Sequence, residues 1–327
     1  MSQYTYDTGN RLKTATNISG SSTFTYGYDA DGNVTAGADA GTLAYNADNQ
    51  ITTSGYAYDG AGKLTADPAS GTLAYNDAGQ MTSASNAGGN GPETFAYAGD
   101  TQDQVLSDGT ATGITYGLNG QDGQPWIQSY SGNYIIHDQQ GTPLGVVSAG
   151  QASAYITDNN GSITAIISSA GATAGSALTY DPYGKATVSG TQLGNQIGYT
   201  GALTDTGFFD SDGIPETGYI HDGDRWYNPQ TSTFTTTDPV TLLDNPASAN
   251  PYPYAADNPA NYIDPTGQDD CMAAIISGAA AGFTGGLLAG LITSGPTAGL
   301  SVPAGILGGT LTGGITAGVG CLVANLF

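Results

Sequence analysis

Over the first two hundred residues, apolar and polar positions alternate in short runs, and the runs come in pairs. Leu43-Ala44-Tyr45 puts every second side chain on one face, Asn46 to Gln50 interrupts with polar residues, and Ile51-Thr52-Thr53 resumes the alternation. A period of two predicts strands with one buried face. The Asp or Asn and Gly between the runs predict tight reversals, because Asp and Asn bond their own backbone and Gly accepts positive φ. Each pair of runs is therefore a predicted β-hairpin. One hairpin cannot bury its apolar face alone, whereas stacked neighbours can, so the pattern predicts a mainly β body with tyrosines laddered along one face.

The unit recurs as apolar-x-Tyr-Asp/Asn, two or three residues, Gly or Asn, one residue, then an apolar-Thr pair. Copies stand at Tyr6-Asp7, Tyr28-Asp29, Tyr45-Asn46, Tyr58-Asp59 and Tyr75-Asn76, with weaker ones near Tyr97 and Tyr116. Successive tyrosines lie 13 to 22 residues apart, so the connections vary while the unit persists.

After Asp269-Asp270 the pattern changes. From Cys271 to Phe327 no side chain is charged, and Gly278, Gly282, Gly286 and Gly290 fall at every fourth position, as do Gly305, Gly309 and Gly313. This spacing predicts α-helices with glycine-zipper faces. Met272 to Thr293 would span about 33 Å, enough to cross a bilayer core. Ser294 to Thr297 predicts a turn, and a second span follows to Phe327. A membrane hairpin, a soluble Gly/Ala-rich pair packed against or inside the body, and a degenerate remnant without activity all fit. Three regions result: a repeat body over 1–198, a segment over 199–268, and the apolar tail over 269–327.

Charge narrows the partners. Five Lys and Arg face 28 Asp and Glu, a net charge of −23, which argues against nucleic acid and against electrostatic adhesion to anionic lipid. The 21 tyrosines against 7 phenylalanines suit strands better than helices. Cys271 and Cys321 are the only cysteines; they form one disulfide in an oxidising compartment or stay as two buried thiols. The first thirty residues hold no apolar run, so no N-terminal secretion signal is predicted. His137 and His221 are the only histidines, and no zinc set or nucleophile–histidine dyad stands out. Asp210, Asp212 and Glu216 offer oxygen ligands to Ca²⁺, but they lack EF-hand spacing, and an acidic surface turn is the favoured reading. No cofactor is expected.

The tyrosine-aspartate unit resembles the YD repeat of RHS proteins, Tc-toxin C components and teneurins. The segments around His137-Asp138-Gly141-Thr142, Asp158-Gly161-Ser162 and Tyr180-Asp181-Pro182-Gly184 resemble later family segments. GDRWYNPQTSTFTTTDP (Gly223 to Pro239) and NPYPYAADNPANYIDPTG (Asn250 to Gly267) resemble the RHS repeat-associated core. The resemblance implies an antiparallel hairpin spiral forming part of a β-shell around a toxic C-terminal region, of which this chain would supply the closing end. It also implies an aspartic self-protease that cuts just after the core, here between Gln268 and Asp269. Such chemistry needs two carboxyl groups able to share a proton, with a guanidinium nearby. Arg225, one of two arginines, stands thirteen residues before Asp238, the family spacing for its essential pair. The partner acid is Asp264 or Asp224, with Asp264 preferred. Two departures weigh against cleavage: Ser232-Thr233-Phe234 replaces Gly-Arg-Phe, and Gln268 stands where leucine is usual, so the alternative is an uncleaved ion pair that locks the shell. The implied function is a secreted or surface-associated polymorphic toxin fragment. Its own tail would be the cargo, a membrane the target and an immunity protein a partner. The alternative is a non-enzymatic adhesion module with the tail as anchor or packed element.

Overall fold

Each reversal in the repeat is built around one side chain. Asp29 Oδ1 accepts hydrogen bonds from the backbone N–H of Asp31 (3.0 Å) and of Asn33 (2.9 Å), holding the turn from inside. The computed structural model describes residues 2–17, 23–37, 41–85, 92–100, 103–109, 111–119, 124–139, 141–168, 173–190, 195–205, 218–239, 249–268 and 273–274. Within them, the same bonds to the second and fourth residues onward recur at Asp7, Asn46, Asp59, Asn76, Asp158 and Asp181, at 2.8–3.0 Å. Either Asp or Asn serves, because both present an acceptor oxygen at the same place. The third residue onward needs positive φ, which Gly62 supplies at +79° and Asn49 at +59°.

Tyrosines before four of the turns join one unit to the last. The hydroxyl of Tyr28 donates to the Leu12 carbonyl (2.7 Å), that of Tyr45 to Val34 (2.9 Å), that of Tyr116 to Val105 (2.9 Å) and that of Tyr180 to Ile163 (3.2 Å). Every acceptor belongs to the apolar residue of a preceding return strand. The ring packs on the core while its tip satisfies a carbonyl that phenylalanine would leave bare, which explains the preference for Tyr over Phe. Burial holds the phenols of Tyr28, Tyr45 and Tyr58 well above their usual range, so they remain donors. Tyr45→Phe is expected to lower the unfolding free energy by about 1–2 kcal/mol. Urea denaturation would show it, and an unchanged midpoint would remove this role from the hydroxyl.

The hairpins merge into antiparallel meanders. Ser2–Tyr6, Leu12–Asn17 and Thr23–Thr25 make one sheet. Six consecutive strands from Ala57–Tyr58 to Val105–Asp108 make a second, and eight from Thr115–Asn119 to Ala186–Gly190 a third. Leu64, Leu73, Met81, Phe95, Val105, Ile135, Val146 and Ile163 turn inward and share a core with Tyr219 and Trp226 of the following segment. The predicted mainly β body is thus present, and Leu203, Tyr219 and Trp226 of the segment 199–268 pack into its core.

We term that segment the plug. Leu203–Thr204, Ile220–Asp222, Arg225–Asn228 and Thr233–Phe234 form a small antiparallel sheet. The asparagines and tyrosines that follow bond the repeat turns: Asn250 Nδ2 to Asn33 Oδ1 (2.8 Å), Tyr252 hydroxyl to the Gly62 carbonyl (2.8 Å) and Asn258 Nδ2 to the Asn10 carbonyl (2.8 Å). These partners lie about two hundred residues apart in sequence, so the plug ties the start of the body to its end.

Almost all of the tail lies outside the described residues, including the glycine-zipper positions, Cys271 and Cys321. Where a helix from Met272 was expected, Ala273–Ala274 is instead extended and pairs antiparallel with Tyr262–Ile263, whose edge offers the backbone partners. Among the described residues no helix is long and apolar enough to cross a membrane.

Candidate functional site

The site is built on the tightest hairpin of the plug. Asp222 and Arg225 stand opposite each other across the two-residue turn Gly223-Asp224. Gly223 has φ +52°, and a Cβ there would lie 2.1 Å from the Thr266 carbonyl oxygen. Only glycine lets residues 264–268 lie against this turn, where the Asp224 N–H bonds the Thr266 carbonyl at 2.9 Å.

Arg225 is 1% exposed, yet its charge is fully engaged. Nη2 contacts Asp238 Oδ2 at 2.8 Å and Asp264 Oδ2 at 3.4 Å. Nη1 donates to the Pro251 carbonyl at 2.9 Å, and Nε donates to the Gly267 carbonyl. The guanidinium lies 3.6 Å from the centre of the Phe234 ring, so the phenylalanine retained from the Gly-Arg-Phe pattern supplies a stacking face. Where that pattern has glycine, Ser232 still adopts φ +62°. The Pro251 carbonyl also accepts the Asp238 N–H at 3.1 Å, fixing acid and base of the ion pair to one point.

Arg225, Asp238 and Asp264 therefore meet on one guanidinium nitrogen. Burial pushes the Asp264 carboxyl up to about 6, against the lowering pull of Arg225 and of hydrogen bonds from the Gln268 N–H and Thr266 hydroxyl. A carboxyl poised there keeps its proton in mild acid and can deliver it. Asp238, paired at 2.8 Å, is the carboxylate that can receive one.

Gln268 lies at the rim. Its N–H donates to Asp264 Oδ1 (3.1 Å) and to Thr266 Oγ1 (3.2 Å), and the Thr266 hydroxyl reaches its carbonyl at 3.5 Å. Asp224, the other candidate for partner acid, directs Oδ2 to Gln268 Nε2 at 2.6 Å. The sequence reading missed two participants. Asp222 is buried, and its carboxyl is pushed well up by burial and then by the charge of Asp264, with Arg225 opposing. Its signal was a second acid flanking Gly223. Thr266 carried no signal. Asp269, Asp210, Asp212 and Glu216 lie outside the described residues. His221 packs edge-on to Trp226, and His137 stacks on Trp126. Among the described residues no three His, Cys, Asp or Glu converge as metal ligands.

The sequence model of the Teneurin YD-shell family matches residues 1–260. A solved Tc holotoxin pore of Photorhabdus luminescens, carrying a mutated TccC3 component, superposes with a TM-score of 0.56 at 16% identity, covering 82% of this chain and 15% of that one. A TcdB2-TccC3-Cdc42 crystal structure is similar over 82% of this chain and 18% of that one, at 16% identity and a TM-score of 0.38. The chain thus spans under a fifth of the solved chains it matches. No curated protein matches it.

Proposed function

Because the chain belongs to the Teneurin YD-shell family, we propose that it closes an RHS-type shell and cuts itself after Gln268, freeing residues 269–327. One observation carries this reading: Arg225, Asp238 and Asp264 meet on one nitrogen, and Asp264 also holds the Gln268 N–H. In this reading Asp238 takes a proton from a water as its oxygen attacks the Gln268 carbonyl carbon. Asp264 gives its proton to the carbonyl oxygen, and Arg225 offsets the developing charge. Collapse breaks the bond to the Asp269 nitrogen, which leaves with the proton collected by Asp238, while the re-forming carbonyl returns its proton to Asp264 and the new acid loses its own to solvent. A carboxylate at Gln268 and an amine at Asp269 result.

The released piece has no charged side chain beyond its first two residues and repeats glycine at every fourth position, which supports insertion into a target membrane. The whole would then be a secreted or cell-surface toxin component whose producer carries an immunity protein. A second reading, a non-enzymatic adhesion module with the tail as anchor, draws on Gln268 standing where leucine is usual. Intact mass of the purified chain separates the two. Self-cleavage yields pieces 1–268 and 269–327, with a rate that falls about tenfold per pH unit above the Asp264 value of about 6, since the proton donor is lost there. A chain that stays whole from mild acid to neutrality leaves the adhesion reading.

A further inference from the structure

The residue before the proposed cut is held through its side chain as well as its backbone. Gln268 Nε2 donates to Asp224 Oδ2 at 2.6 Å, a short contact to a half-buried carboxylate. Asp224 is itself fixed, because its N–H bonds the Thr266 carbonyl at 2.9 Å and Gly223 packs against that same carbonyl. Thr266 in turn contacts the Gln268 N–H at 3.2 Å and its carbonyl at 3.5 Å. Side chain, amide and carbonyl of Gln268 are thus tied to one short frame, leaving the carbonyl little freedom to rotate. An apolar residue in its place would give Asp224 no donor and leave a partly desolvated carboxylate unpaired.

Resting on the self-cleavage reading, we infer that Asp224 is a positioning residue that selects a side-chain amide before the cut bond, in place of an apolar pocket. A site made to hydrogen-bond its substrate rejects an analogue lacking the donor far more strongly than a hydrophobic pocket rejects a near-isostere. Asp224 takes no part in proton transfer; it acts by orienting the Gln268 carbonyl.

The test follows cleavage of the full chain by intact mass across pH, with thermal unfolding of every variant recorded alongside. Gln268→Leu is expected to cleave at least about tenfold more slowly than the native chain, the effect of losing one charge-assisted hydrogen bond. Gln268→Glu sets two carboxyls against each other, so its rate drops at neutral pH and recovers in acid, where the pair shares a proton. Adding Asp224→Asn to Gln268→Glu exchanges donor and acceptor and restores the rate at neutral pH. A merely structural contact would not give a deficit relative to the native chain that grows from acid to neutral pH, or the rescue by exchange. Should Gln268→Leu fail to fold, the near-isosteric exchange pair decides alone. Native cleavage with a Leu variant equally fast, or with no rescue by the exchange, overturns the role of Asp224 and leaves self-cleavage standing. A native chain that stays whole throughout overturns both.

Discussion

Arg225→Met lowers the unfolding free energy by about 3–5 kcal/mol at neutral pH, the cost of leaving buried charge uncompensated. Arg225 holds Asp238 and Asp264 through one nitrogen, caps the carbonyls of Pro251 and Gly267, and stacks on Phe234. Methionine fills much of the volume and keeps the ring contact, but it supplies no donor. Two carboxyls then face each other without a cation, and the nearby Asp222, already pushed up by burial, adds a third. Protonation relieves this repulsion, so the loss is smaller in mild acid. The sign follows from Asp264. Its folded value of about 6 exceeds the ordinary carboxyl value, so the stability linked to its proton is present in full at low pH and is lost as pH rises through about 6. Removing the cation raises that value further and steepens the loss. Urea denaturation at two pH values checks the prediction, and an equal deficit at both would contradict the electrostatic account.

Gly223→Ala has a similar size for a different reason. The added methyl would lie 2.1 Å from the Thr266 carbonyl oxygen and 2.6 Å from its Cα, so backbone must move away from backbone. The Asp224 N–H bond to Thr266 opens, and a non-glycine residue is forced to φ +52°. Together these cost about 3–4 kcal/mol. Gly150→Ala provides the comparison, since Gly150 has φ +77° but nothing within 4 Å of the added carbon. It should lose only about 1 kcal/mol, from backbone conformation alone. Equal losses at the two positions would mean that contact between the turn and residues 264–268 adds nothing to stability.

What the sequence disclosed depended on how local each feature was. The hairpins were legible because strand, turn and tyrosine lie within a dozen residues, and the pattern repeats at Tyr28, Tyr45, Tyr58 and Tyr75. That the tyrosine hydroxyls hitch successive units was not, since alternation encodes which face a ring occupies but not where its oxygen ends. The plug was visible as a motif, whereas its bonds from Asn250, Tyr252 and Asn258 to Asn33, Gly62 and Asn10 join distant parts of the chain. At the site, the family resemblance paired Arg225 with Asp238 and left the second acid between Asp264 and Asp224, and the structure brings Asp264 to the same guanidinium nitrogen as Asp238. Asp222 was overlooked because two acids flank Gly223 and one sequence cannot show which turns inward. Asp224 was weighed for proton chemistry, while its contact with Gln268 depends on the fold of a segment forty-four residues on.

Cleavage in water enriched in heavy oxygen puts the proposed chemistry to its most direct test. Attack by a water held between Asp238 and Asp264 predicts one heavy oxygen in the new carboxylate of the 1–268 piece, none in the 269–327 piece, and no cleavage at all in Asp238→Asn. A break without label at Gln268, or cleavage that persists in Asp238→Asn, would contradict it.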